Sequence, residues 1–350
     1  MKQIDGQMSF SFHPIPKAGT SLLLAPVQTL AENSPVLTKE DAVRVLVDSM
    51  KRLDREETRV LYLDAGKKPL CFCTVSIGTV SGAPVPIANV FKPACLLGAS
   101  SVLFLHNHPS GSLDPSRADE SLTRRVAEAG RLLNIPLMDH LIVGGGTGKT
   151  YSFREHEPER FPRTVPYPYA GDSGMSAAAI PKKDTGLLRV EVQVDLAQKK
   201  LSPESACGPE RGIAILHDRL AEAGEDGICF AGLDFHGYPV HTLCAPVRSV
   251  SRSYFTIGAF FKDALLHNDT FCMAYHEEGP NGPVCGEDYI AMKRLAEAGR
   301  LAGIPLLDFV VWDEFGTMRG SRGDYPKLFK STKRVNYRYL ATMAAEPDCL

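Results

Sequence analysis

The sequence predicts an α/β protein built from two tandem copies of one α/β/α sandwich domain, and three observations carry that reading. The first is length: 350 residues exceed one ordinary domain and suit two, at roughly 150 residues each. The second is an internal repeat. Asp119–His140 (DESLTRRVAEAGRLLNIPLMDH) aligns with Asp288–Phe309 (DYIAMKRLAEAGRLAGIPLLDF), with 12 of 22 positions identical. At the same offset of 169 to 170 residues, Leu63-Asp64 faces Leu233-Asp234, Phe91-Lys92 faces Phe261-Lys262 and His106 faces His276. Self-similarity at a fixed period marks repeated structural units. The third is the mixture of period-2 and helical signals in alternation, which calls for a sheet covered by helices.

The repeat places the copies at residues 36–158 and 186–330. An extended N-terminal arm (1–35) precedes them, a Pro/Gly/Ser linker (159–185) with Pro162, Pro166, Pro168 and Pro181 separates them, and a tail (331–350) follows. In copy one, Thr38-x-x-Asp41 reads as a capping box opening a helix to about Leu53. The runs Arg59–Asp64 and Leu70–Ser76, around Ala65-Gly66-Lys67-Lys68, read as a hairpin. A helix over about Val90–Leu97 leads to a strand at Ser101–His106. Pro115-Ser116 starts a helix ending near Asn134, and Ile135–Val143 returns as a strand.

Composition narrows the function. With 39 Lys+Arg against 41 Asp+Glu the formal charge is −2, so charge gives no support for nucleic acid as a partner. No basic-then-apolar leader opens the chain, and no run approaches the 18 apolar residues of a spanning helix. Nine scattered cysteines without a C-x-x-C fit reduced thiols better than a disulfide framework. A cytoplasmic protein without membrane association is expected.

The chemistry concentrates where the central strand ends. In His106-Asn107-His108 the two imidazoles sit at i and i+2, on one face of a strand, where they can converge on an ion. Ser116-x-x-Asp119 follows at a helix start. Alone it reads as a capping box; with the two histidines, Asp119 becomes an oxygen ligand. Two His and one carboxylate leave a tetrahedral position open, as catalytic rather than structural zinc requires. Cys95 or Cys73 would be the candidate fourth ligand of a closed, structural site.

The string H-x-H, seven residues, S-x-x-D resembles the signature of the JAMM (MPN+) zinc metalloproteases. HNHPSG with IPLMDHLIVGG is similar to the RadC-like branch of that JAB-domain family. The resemblance implies a cytidine-deaminase-like α/β/α fold, Zn²⁺ held by His106, His108 and Asp119, Ser116 beside the reacting carbonyl, and a glutamate serving the water. That glutamate maps to Glu56, with Glu57 one register step away; a one-residue slip turns a side chain to the other face. The implied activity is hydrolysis of peptide or isopeptide bonds in a protein or peptide substrate. The alternative is a non-enzymatic, zinc-stabilised scaffold at DNA-processing complexes. A deaminase on the shared fold lacks its H-x-E and P-C-x-x-C signature. The chain has Ala88-Asn89 where the branch usually carries Arg-Glu, and its short arm has no room for the branch's helix-hairpin-helix module.

Copy two keeps His276 and Asp288, but Glu278 replaces His108 and Asp226 falls at the Glu56 position. These four could hold a cation; a relic pocket in a pseudo-catalytic domain is the simpler reading. Intramolecular pairing of the two copies is expected by likeness to assemblies that pair active and inactive MPN domains.

Overall fold

The computed structural model describes residues 10–11, 20–25, 41, 46–78, 85–161, 188–194, 211–212, 215, 227–277, 286–312 and 318–332. They fall into two compact units, residues 10–194 and 211–332. In the first, β1 (Phe10–Ser11), β2 (Thr20–Ala25), α1 (Asp48–Met50), β3 (Glu57–Leu63), β4 (Pro69–Ile77), α2 (Ile87–Leu97), β5 (Ser101–His108), α3 (Arg117–Leu132), β6 (Leu137–Gly144), β7 (Thr150–Ser152), α4 (Phe153–His156) and β8 (Leu188–Val194) follow in order.

The expected hairpin forms: β3 and β4 pair antiparallel, with Lys67 at the turn in the left-handed region (φ 64°). Strand β5 pairs antiparallel with β3 and parallel with β6, and the parallel pair is bridged by α3. Pleating separates the faces. On one, Leu61, Leu63, Leu103, Leu105, Leu141 and Val143 pack on Leu46, Val47 and Met50 at α1. On the other, the Tyr62 hydroxyl donates to the Val90 carbonyl of α2, and Thr123 of α3 meets His140 of β6. Helices on both faces give the α/β/α layering. Of the expected capping box at Thr38, only Asp41 lies within the described residues.

Two expectations about boundaries are corrected. The arm is not merely extended, because β2 belongs to the sheet; and 188–194, expected in copy two, belongs to the first unit. The sheet order is β1-β2-β8-β4-β3-β5-β6-β7. β8 pairs parallel with β4 (Cys71 opposite Leu188), and β2 antiparallel with β8 (Thr20 opposite Val194). The cause is the edge of β4, whose backbone N–H and C=O groups need partners. Leu188-Arg-Val-Glu-Val-Gln-Val alternates apolar and polar residues and supplies a strand for it.

The second unit runs β9 (Gly227–Leu233), β10 (Pro239–Pro246), α5 (Val247–Arg252), α6 (Tyr254–Leu266), β11 (Phe271–Glu277), α7 (Gly286–Ala302), β12 (Leu306–Trp312) and β13 (Met318–Gly320). Its sheet order, β10-β9-β11-β12-β13, repeats β4-β3-β5-β6-β7. Registers coincide too: Leu63 lies opposite Pro69 and Ser101, and Leu233 opposite Pro239 and Phe271. The left-handed residues recur as Lys67 and Gly237, Gly98 and Asn268, Asn134 and Gly303.

Close approach explains one shared glycine. A Cβ on Gly130 would sit 2.7 Å from the Ile135 carbonyl oxygen, and one on Gly299 2.6 Å from that of Ile304. Both contacts are to backbone, which cannot step aside as a side-chain tip can. Gly130→Ala is therefore expected to destabilise the first unit by about 1–3 kcal/mol, read as a lower midpoint in denaturant unfolding beside the parent chain. An unchanged midpoint would show that helix and strand part freely there.

Candidate metal centre

The site forms on the α3 side of the first sheet, at the C-terminal end of β5. His106 and His108 project to the same face, as the pleat dictates. Ser116 caps α3: its hydroxyl accepts from the Asp119 N–H (3.2 Å), and Asp119 Oδ2 accepts from the Ser116 N–H (2.8 Å) and hydroxyl (2.7 Å). The capping box and the ligand are therefore one arrangement: the cap fixes Asp119 while leaving its carboxylate facing the histidines.

The three donors converge. His106 Nε2 lies 3.0 Å from His108 Nε2 and 3.3 Å from Asp119 Oδ1, and His108 Nε2 lies 3.7 Å from Asp119 Oδ2. A tetrahedral zinc with bonds of about 2.0–2.1 Å separates its donors by about 3.3–3.4 Å, and the observed separations, which involve both Asp119 oxygens, bracket that size. Among the described residues this group comprises His106, His108 and Asp119 and no cysteine. Cys73 and Cys95 instead lie near the buried Tyr62 hydroxyl.

The outer nitrogens show which tautomers the site holds. His108 Nδ1 lies 3.0 Å from the Ser112 carbonyl oxygen and must donate to it, which leaves Nε2 bare. For His106 the argument passes through three residues. The Thr123 hydroxyl donates its single proton to the Asp119 carbonyl (2.7 Å), so it accepts from His140 Nδ1 (2.6 Å). His140 Nε2 is then bare and accepts from His106 Nδ1 (2.8 Å), turning the His106 Nε2 lone pair into the site. His140 is itself clamped, stacked on Phe153 (4.8 Å, 10°) and edge-on to Phe104 (4.9 Å, 90°). Partners of this kind fix the orientation of metal-bound imidazoles.

Electrostatics suit the same purpose. Burial lowers the His106 pKa to about 4, against the opposing pull of Asp119, so the ring is neutral at physiological pH. Asp119 contact raises His108, with burial opposing. Burial pushes the Asp119 carboxyl up, but bonding to His108, the nearby His106 and the Ser116 hydrogen bonds outweigh it and hold Asp119 well below the usual carboxylate range.

The two glutamates separate cleanly. Glu57 faces the α1 side, where Oε2 accepts from Arg59 (2.8 and 3.1 Å); Arg59 in turn donates to Ser49 and lies over the Phe72 ring. Glu56 is half-buried, and its pKa is raised by burial and by the Asp119 charge, with His108 opposing. That places Glu56 within the field of the metal group. Asn107, between the two ligand histidines, points to the opposite face and grips the chain on both sides of Glu56: its Oδ1 accepts from the Glu57 N–H (2.8 Å) and its Nδ2 donates to the Arg55 carbonyl (3.0 Å).

Sequence reasoning left out Asn107 and Thr123 and gave His140 no defined partner. The signal for Asn107 was its place in the triplet, since a polar residue on the core face of a strand must find partners.

In the second unit His276 and Asp288 meet, Nδ1 to Oδ1 at 2.8 Å, and both are buried. Asp226 and Glu278 lie outside the described residues. Phe309 stands at the His140 position, so the tautomer-fixing chain has no counterpart there.

The description RadC-like JAB domain matches residues 36–158. A UPF0758 protein of Caldanaerobacter subterraneus is 39% identical over 130 residues, 37% of this chain and 54% of that protein. One of Roseiflexus castenholzii is 38% identical over 128 residues, with the same shares. One of Rubrobacter xylanophilus is 37% identical over 164 residues, 45% of this chain and 67% of its own length. The chain thus spans about half the length of the first two relatives and two thirds of the third.

Two outcomes test the geometry. His140→Phe, which puts the second unit's residue into the first, is expected to weaken zinc binding about 10–100-fold, measured by competition with a chromophoric chelator; undiminished affinity would sink the tautomer argument. Because zinc must displace the proton from His108, whose pKa is raised, affinity is expected to hold above that pKa and to fall as pH drops through it, by about tenfold per unit for one displaced proton. Titrations from about pH 8 to about pH 5 check the sign. The buried, convergent His106, His108 and Asp119 thus lie inside the matched segment, and the chain belongs to the RadC-like JAB domain family.

Proposed function

We propose that the first unit is a zinc-dependent metallohydrolase that cleaves peptide or isopeptide bonds in a protein or peptide substrate in the cytoplasm. The observation that carries this reading is the donor triangle with both imidazole lone pairs turned inward and, among the described residues, no fourth protein ligand. A purely structural zinc site is closed by four protein ligands. The donors, two imidazoles and one ionised carboxylate, fit Zn²⁺.

Zinc bound there would supply Lewis acidity, polarising a carbonyl and making water acidic near neutral pH. The chain's own residues do the rest. Glu56, with its raised pKa, takes up a proton at its carboxylate as water attacks and releases it to the departing amine; a base of this kind works best with a pKa near the operating pH. Asn107 holds the backbone on both sides of Glu56, which supports a fixed position for that carboxylate. The Ser116 hydroxyl is directed to Asp119 Oδ2, and donating to a developing oxyanion requires it to rotate, which a hydroxyl does freely.

We read the second unit as a degenerate, pseudo-catalytic copy of the same domain. The repeated sheet order, registers and left-handed turns support this, as does the surviving His276–Asp288 pair.

The test compares two variants. Glu56→Gln should retain zinc and lose about 10²–10⁴-fold in hydrolysis of a peptide library, whereas His108→Ala should lose both zinc and hydrolysis. Zinc loss in Glu56→Gln would mean that Glu56 is a ligand. Zinc retention without cleavage in the parent chain, over peptide and isopeptide substrates alike, would leave the scaffold reading.

A further inference from the structure

The second unit carries a polar cluster where the first is apolar. At an offset of 170, Gly232 stands for Tyr62, His241 for Cys71, Asp263 for Pro93, His267 for Leu97 and Asp269 for Ala99. In the first unit the Tyr62 ring fills this space and is fully buried. In the second, Gly232 vacates it, and a Cβ there would collide with Asp269 Oδ2 and His241 Nδ1. His241 is 6% exposed, and Asp269 is buried. Exchanging an aromatic, a thiol and a methyl group for a buried imidazole and carboxylate is unfavourable unless the polar groups are used.

The geometry points to a use. His241 Nδ1 lies 3.0 Å from Asp269 Oδ2, an ion-pair contact without the alignment of a hydrogen bond. His241 Nε2 makes no hydrogen bond. It faces Asp263 Oδ2 at 3.6 Å, and Asp263 Oδ1 lies 3.6 Å from His267 Nδ1. Asp263 and His267 are one helical turn apart at the end of α6, a spacing that brings two side chains to one spot. One donor atom from each of His241, Asp263 and His267 lies within 4.8 Å of the other two. Asp263, 43% exposed in its side chain, opens the cluster to solvent.

We propose that His241, Asp263 and His267, backed by Asp269, form a second divalent transition-metal site, distinct from the His276–Asp288 pair. It lies at the other end of the sheet: His241 pairs with Gly232 at the end of β9, and His276 with Ile228 near its start. A carboxylate behind a ligating imidazole is the usual outer support of a zinc histidine, and two imidazoles with one carboxylate select a first-row ion such as Zn²⁺ over Mg²⁺ or Ca²⁺. His267 now stacks on His241 (4.5 Å, 9°), and its Nδ1 donates to the Asp263 carbonyl at 2.9 Å, which leaves Nε2 as its ligand atom. Closing on an ion requires it to tilt out of that stack, which its place just past α6, beside the left-handed Asn268, permits.

Zinc per full-length chain, by elemental mass spectrometry after loading with Zn²⁺ and dialysis, decides the matter. Two ions are expected in the parent chain, one in His108→Ala and none in His108→Ala/Asp263→Ala, with zinc raising the Tm of the single variant but not of the double. Asp263 is exposed enough for alanine to be tolerated. No zinc in His108→Ala, or one ion persisting in the double variant, overturns the assignment. One ion in the parent that vanishes in His108→Ala leaves the first centre and refutes the second; one that survives His108→Ala and is lost in the double variant refutes the first and supports the second.

Discussion

Strand β5 alternates its side chains between two faces of a sheet that is covered on both, and the candidate centre depends on that alternation. His106 and His108 fall on one side, where α3 delivers Asp119; Asn107 falls on the other, where it holds the backbone that leads into Glu56. A single triplet thus positions two ligands and, through the neighbouring strand, the proposed base. Shifting β5 by one residue would exchange the faces, burying an amide where the ion belongs and turning both imidazoles toward Leu61 and Leu141. The packed leucines of the α1 side oppose such a slip, so the apolar core secures the polar site.

The donors themselves are held by groups that are not ligands. Asp119 is locked by the cap of its own helix, and His106 by a chain of hydrogen bonds that ends on the backbone carbonyl of that same residue. Helix α3 therefore sets both the carboxylate and, through Thr123 and His140, the proton on an imidazole across the sheet. Preorganisation of this kind lowers the cost of gathering charged and polar groups in a buried place.

Much of this was legible in the sequence because it is local. The i, i+2 histidines, the Ser116 cap and the hairpin turn at Lys67 each follow from periods and propensities within a few residues. The features left unread are those made by register between distant segments. Glu57 is set apart from Glu56 only by its reach to Arg59, two residues on along β3. Gly232 and His241 meet across the β9–β10 hairpin, but Asp269 is distant in sequence and joins them only because β11 pairs with β9 on its other side. Strand β8 alternates plainly, but nothing in its own residues says that β4 is its neighbour.

The pairing of Thr20–Ala25 with Leu188–Val194 also bears on synthesis. Chain emerging from a ribosome presents the RadC-like segment, ending at residue 158, before the strand that covers the open side of β4 exists. Until Val194 is out, the β1–β2 pair is not joined to β4, whose backbone edge can recruit an extended chain nearby. Completion of the first unit is thus timed by a strand encoded after the segment that carries its ligands, and a pause in translation before that point would hold the nascent chain with the β4 edge uncovered.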